Sequence, residues 1–182
     1  MEFDTPLWRI LNHFFDYPYE EIHLRELSRK TDVSIYSVKH IVDELVKKNI
    51  LTEKKQGNMR YIKANIENQF LRYLKIAFSI KKIIESGIIS YLNENISAIS
   101  SIILFGSVAK GEDDKKSDID ILAIGQRKTI NLSKYEEKLG KDINIICMKW
   151  SEWREHAKED KAFYKEVTTG GIVLYGNMPV IE

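Results

Sequence analysis

Residues 103–122 read ILFGSVAKGEDDKKSDIDIL. Two short apolar runs rich in β-branched residues, 102–105 and 119–124, flank a Gly-Ser pair, a few helix-compatible residues and a charged loop. The pattern predicts strand, turn, short helix, loop, strand. Side chains alternate along a strand, so Asp118 and Asp120 face the same side. Like charges on one face repel, so fold stability gives no reason to place them there, and they require a cation. Gly106 has no side chain and lets backbone approach a ligand closely. Ser107 opens a helix whose unpaired N–H groups, with the Ser107 hydroxyl, suit phosphate oxygens. Gly111 suits a left-handed cap at the end of that helix. The two aspartates offer hard oxygen ligands of the kind Mg²⁺ takes. A phosphate cradle beside metal carboxylates points to a nucleoside triphosphate, with the metal bridging phosphate and carboxylate oxygens.

The rest of the chain frames this stretch. After it come a predicted helix near 133–139, a strand over 143–148, helix between Ser151 and Val167, and a late apolar segment, GIVLYG. That alternation predicts a small α/β domain over 88–182. Ahead of it, 66–86 reads as helix, with Phe70, Leu74, Ala77, Phe78 and Ile84 among its apolar positions and Gly87 as its breaker. The first 65 residues read differently. Leu7, Ile10, Leu11, Phe14 and Phe15 recur at helical spacing, and Asp16 and Pro18 end that helix. A second helix spans 23–30. A third runs from an N-cap at Ser34 to about Lys48, with Ile35, Val38, Ile41, Val42 and Leu45 as its stripe. Strands over 51–55 and 59–63 are joined by Gln56-Gly57-Asn58, which tolerate positive φ. The overall expectation is an α+β chain: an N-terminal winged helix (three helices plus a β-hairpin) over 1–65, a helical connector over 66–87, and a small α/β domain.

The N-terminal part resembles the winged helix-turn-helix DNA-binding domains of prokaryotic transcriptional regulators. Charge distribution agrees with a nucleic-acid partner: 22–63 carries ten Lys and Arg against five Asp and Glu, whereas 98–182 is close to neutral. Ser34, Tyr36, Ser37 and Lys39, at the start of the third helix, are the candidate base readers. Lys54, Lys55 and Arg60 on the wing are the candidate phosphate contacts. Winged helices also bind RNA, so duplex DNA is the first expectation and RNA a rival.

The second part is similar to the nucleotidyltransferase superfamily of the DNA polymerase beta type, especially its minimal archaeal and bacterial members. Gly106-Ser107, Gly111 and Ser117-Asp118-Ile119-Asp120 carry the resemblance, which covers roughly 88–175. It implies nucleotide binding at Gly106, Ser107, Gly111 and Ser117, metal binding at Asp118 and Asp120, and Mg²⁺ as cofactor, with two ions for catalysis. The implied reaction transfers a nucleoside monophosphate from Mg–NTP to a hydroxyl on a protein or a nucleic-acid end, releasing pyrophosphate. Antitoxins of this family adenylylate a partner toxin. The family also needs a third carboxylate on a following strand. Aligned by its apolar residues, Ile143-Asn144-Ile145-Ile146 puts Asn144 at that position. Asp142 lies two residues earlier on the same face. Both stay open as the remaining catalytic residue, and the intact Asp-x-Asp pair favours a contribution from Asp142. The alternative function is a catalytically inert transcriptional regulator that uses this fold as nucleotide sensor or oligomerisation unit. A homodimer is left open.

Composition mainly excludes. Lys plus Arg is 28 against 27 Asp plus Glu, so net charge names no partner. One cysteine, Cys147, rules out an intramolecular disulfide framework and is expected to be a buried, inert thiol. His13, His23, His40 and His156 lack metal-ligand spacing and are expected to pack or to face solvent. Trp150 and Trp153 are expected to pack the core. No apolar run approaches a membrane span and the N-terminus lacks a signal-peptide pattern, so a cytoplasmic location without a membrane partner is expected.

Overall fold

A computed structural model describes residues 4–126 and 130–181, so the first three residues of the acidic N-terminal segment lie outside it. The chain is α+β and divides into two compact units, Met1–Lys75 and Ile76–Glu182.

In the first unit, α1 (Pro6–Asp16), α2 (Leu24–Thr31) and α3 (Ile35–Lys47) precede a hairpin of β2 (Leu51–Gln56) and β3 (Met59–Ala64). Leu27, Val38, Val42 and Leu45 join Ile10, Leu11, Phe14 and Phe15 of α1 among the buried residues, which fits the apolar spacing. Ser34 caps α3: its Oγ accepts from Ser37 N at 3.2 Å. Gly57, at φ +60°, makes the hairpin turn possible. A two-residue strand, β1 (Ile22–His23), pairs with β3, giving the order β1-β3-β2. It escapes sequence reading because two residues carry no periodicity.

The division between the units falls within α4 (Gln69–Ser86). That helix starts three residues later than expected, because Asn68 Oδ1 accepts from Leu71 N and so fixes the first turn. Gly87, at φ +86°, separates α4 from α5 (Ile88–Asn95).

The second unit is built on a four-stranded sheet of order β6-β5-β4-β7. Its members are β4 (Ser97–Phe105), β5 (Ile119–Gln126), β6 (Ile143–Met148) and β7 (Ile172–Gly176). β5 and β6 pair in parallel, and β4 pairs antiparallel with both β5 and β7. Strand β4 begins five residues earlier than the apolar run suggests. Its Ser-rich first half is irregularly paired, with a register shift between Ser97 and Ser101. The strand pattern buries both faces. Ile102, Leu104, Ile119, Ile121 and Ala123 pack with α5 residues Ile88 and Leu92 and with Leu139 of α7 (Ser133–Leu139). On the opposite face, Ile103, Phe105, Leu122 and Ile124 pack with Trp153 and Val167. Those two belong to α8 (Trp150–Glu159) and α9 (Lys161–Gly170).

The expected single helical stretch is thus two helices. Asp160 separates them, and its carboxylate accepts from Phe163 N at 2.9 Å to start α9. Trp153 is fully buried and donates from Nε1 to Pro179 O at 2.7 Å, whereas Trp150, expected in the core, is exposed at the first position of α8. Cys147 is half-buried rather than buried, near the end of edge strand β6. Among the described residues no helix is long and apolar enough to cross a membrane.

Candidate active site

The end of the sheet where β4 stops and β5 and β6 start gathers the Gly-Ser turn, Asp120 and Asn144. Antiparallel register sets Asp120 opposite Phe105, the residue before Gly106. Parallel register sets Asp120 beside Asn144. Alternation turns Asp120 to the same face as Leu122, the side covered by α8 and α9. Asn144 Nδ2 donates to Asp120 Oδ1 at 3.1 Å, so an amide stands at the neighbouring position on the next strand.

Gly106 adopts φ +71°, and a Cβ built on it would lie 2.3 Å from Asp120 Oδ2. No other residue permits both the backbone angle and that approach. The turn therefore closes directly over the carboxylate. It leads into α6 (Gly106–Lys110), a five-residue helix capped by Gly111 at φ +67°. Gly111 N–H bonds Val108 O at 3.2 Å, and Glu112 N–H bonds Ser107 O at 2.9 Å, a Schellman-like ending. Lys110 pairs with Glu166 of α9, and that carboxylate holds the lysine above its ordinary pKa. Gly106 and Ser107 are half-buried.

Asp118 precedes the first ladder residue of β5 and is exposed. The loop before it is ordered by its own side chains. Asp114 Oδ1 accepts from Lys116 N at 2.9 Å and Ser117 N at 3.1 Å. These bonds, the Lys116 amide first, hold its carboxyl below the usual range. Ser117 Oγ donates to Asp114 Oδ1 at 3.1 Å and accepts from Asp114 N at 2.9 Å. The Ser117 hydroxyl is therefore engaged inside the loop. Asp142 lines a cleft with Lys115, Lys116, Ser117 and Glu136, and its carbonyl accepts from Ile119 N at 2.9 Å. Among the described residues, no group of three or more His, Cys, Asp or Glu side chains is arranged to hold a metal. Asp118 and Asp120 are hard oxygen donors of the kind a divalent cation takes, and the space a Gly106 side chain would fill lies against Asp120 Oδ2.

Residues 86–179 match the family described as Polymerase beta, Nucleotidyltransferase. The chain belongs to this polymerase beta nucleotidyltransferase family. No curated protein matches it. Among solved structures, it is similar to a crystal structure of a toxin-antitoxin with AMP-PNP. Identity is 25%, over 54% of this chain and 73% of that one, with a TM-score of 0.37. It is also similar to two mutants of the toxin-antitoxin MntA-HpeT. One is 27% identical over 51% of this chain and 72% of that one, TM-score 0.37. The other is 25% identical over 51% and 73%, TM-score 0.39.

Outside the matched region, Ser34, Tyr36 and Lys39 are exposed around the start of α3, with Tyr36 at 83% exposure. Ser37 is half-buried, and its Oγ accepts from Ser34 Oγ at 2.9 Å. Lys54 and Lys55 are exposed on β2. Arg60 is placed differently from its expected role. Its guanidinium reaches Asp43 of α3 at 2.7 Å and Glu53 of β2 at 2.9 Å. It thus ties the hairpin to α3 through partly exposed contacts. Sequence reading missed that pairing, and also missed Lys141, because neither residue sits in a motif.

Proposed function

We propose that this polymerase beta nucleotidyltransferase family protein handles a Mg²⁺–nucleoside triphosphate at Asp118 and Asp120 and transfers a nucleoside monophosphate to a protein or nucleic-acid hydroxyl. Its first unit, read as a winged helix, would bring that activity to duplex DNA. The close approach of Gly106 to Asp120 carries the reading, since a stability-only loop has no need to press a turn against a carboxylate.

In this reading the backbone N–H groups of Gly106 and Ser107 and the Ser107 hydroxyl hold triphosphate oxygens. Asp118 and Asp120 hold the cation, which when bound neutralises charge between the phosphates and the two carboxylates. The acceptor hydroxyl gives up its proton as its oxygen bonds the α-phosphorus, and the bond to the β-phosphate oxygen breaks to release pyrophosphate. Asn144 steadies Asp120 through its amide but is neutral and takes no proton. Transfer is therefore slow unless Asp142 or the acceptor's own surroundings remove that proton.

The Asn144–Asp120 bond also favours a second reading, a DNA-bound regulator that binds nucleotide without turnover. Labelled NTP with Mg²⁺, offered alone and with cell lysate, separates the two. The enzyme reading expects label on an acceptor, lost in Asp118→Asn. Metal-dependent NTP binding without label in any fraction supports the regulator. Absence of metal-dependent binding defeats both.

A further inference from the structure

Asp120 and Asp118 are two residues apart, yet different parts of the fold hold them. Asp120 sits inside the β5 ladder, with partners on both sides. Asp118 lies before the first paired residue, so the sheet alone does not fix it.

Lys141, between α7 and β6, reaches across to the loop that delivers Asp118. Its Nζ donates to Asp113 Oδ2 at 2.9 Å, to Ser117 O at 3.3 Å, and to Asp114 O. An ammonium has three protons, and three acceptors within five residues take all of them. The site is dry: the Lys141 side chain is 12% exposed and that of Asp113 4%. One residue further on, Asp142 O accepts from Ile119 N. Asp118 is thus pinned on its N-terminal side by Lys141 at Ser117 O and on its C-terminal side by the strand.

We infer that Lys141 is a positioning residue of the proposed metal–nucleotide site, setting Asp118 beside Asp120 so that the pair closes on one divalent cation. It touches neither nucleotide nor metal. The charge explains why lysine rather than a neutral donor stands there. A buried ammonium holds the buried Asp113 carboxylate and, through its other two protons, the Asp114 and Ser117 carbonyls, the first of which also accepts from Ser117 N. The inference rests on the metal–nucleotide reading above.

The test uses the full chain and Mn²⁺ as probe, alone and with ATP, with metal-free ATP as the comparison. Lys141→Met takes the ammonium away from the buried Asp113 carboxylate, so the double variant Lys141→Met with Asp113→Asn removes both charges and protects folding. Lys141→Arg is the conservative partner. The expected result is a loss of at least tenfold in Mn²⁺ and Mn–ATP affinity in the double variant, with metal-free ATP affinity unchanged. Lys141→Arg should recover most of the loss. A folded double variant that binds Mn²⁺ as the native chain does would overturn the role of Lys141 alone. An equal fall in metal-free and metal-dependent ATP binding would also overturn it, because a merely structural residue behaves that way. If the native chain and Asp118→Asn bind Mn²⁺ equally weakly, the metal site itself fails and the inference falls with it.

Discussion

The ion pairs of the first unit and one pair of aspartates in the second handle charge in opposite ways. In the first, charged side chains sit against opposite partners: Arg60 between Asp43 and Glu53, and Lys30 beside Glu20, which also faces His13 at 2.9 Å. At the sheet end of the second unit, the like-charged Asp118 and Asp120 stand two residues apart, one just before β5 and one within it, and the neighbour Asn144 is neutral. Opposite charges in contact serve the fold. Like charges left together cost stability and make sense only with a ligand that arrives later. The contrast motivates the proposed site, and it can be broken by experiment.

The largest effect is expected at the like-charged pair. Asp118→Asn should lower metal-dependent NTP binding about a hundredfold, or about 2.7 kcal/mol. Without metal its melting temperature should stay equal or rise, because a repulsion is removed. Calorimetric titration and thermal melts of one sample read both, and a large fall in melting temperature with unchanged affinity would break the comparison.

Next comes the neutral neighbour. Asn144→Asp adds a hard ligand and a negative charge beside Asp120, and should raise transfer about tenfold, about 1.4 kcal/mol in barrier. It should also lower the metal-free melting temperature. If Asp142 already supplies the third carboxylate, Asp142→Asn abolishes transfer and Asn144→Asp changes it little. Single-turnover rates of the three proteins distinguish these outcomes.

In the first unit the same logic divides the basic residues. Arg60→Ala should cost about 1 kcal/mol of stability, the scale of a partly exposed ion-pair network, because Asp43 and Glu53 lose their shared partner. Lys54→Ala with Lys55→Ala should leave stability unchanged and reduce the salt slope of duplex binding by about two. Denaturant melts and anisotropy at several salt concentrations measure both. Duplex binding that falls with Arg60→Ala alone, at unchanged stability, would return that residue to the outward surface.

The smallest effect concerns His13. Burial lowers its pKa, and Lys30 adds to this, while Glu20 and Asp16 oppose it. The folded state therefore binds its proton later than the unfolded chain as pH falls. Stability of the first unit is full above the unfolded value near 6.5, and declines as pH drops below it towards the lower folded value. His13→Gln should flatten that decline in melts between about pH 7 and pH 5.

Local sequence determined a good deal of this protein. The Gly-Ser pair, the Gly111 cap and the Ser34 cap depend on backbone angles and on neighbours a few residues away. The same holds for α7 and β6, whose bounds follow directly from their periodicity. Other features depend on elements far apart in the chain, and tertiary structure alone decided them. Parallel register between β5 and β6 placed Asn144 against Asp120, whereas Asp142, just ahead of β6, lines a cleft with Lys115, Lys116, Ser117 and Glu136. Packing of the hairpin against α3 set Arg60 between Asp43 and Glu53, partners that its place on the wing does not reveal. Loop closure over 24 residues or more brought Lys141 to the carbonyls that hold Asp118. Periodicity assigns a residue to a face, whereas its partner is set by how strands and loops dock, and no window of local sequence contains that information.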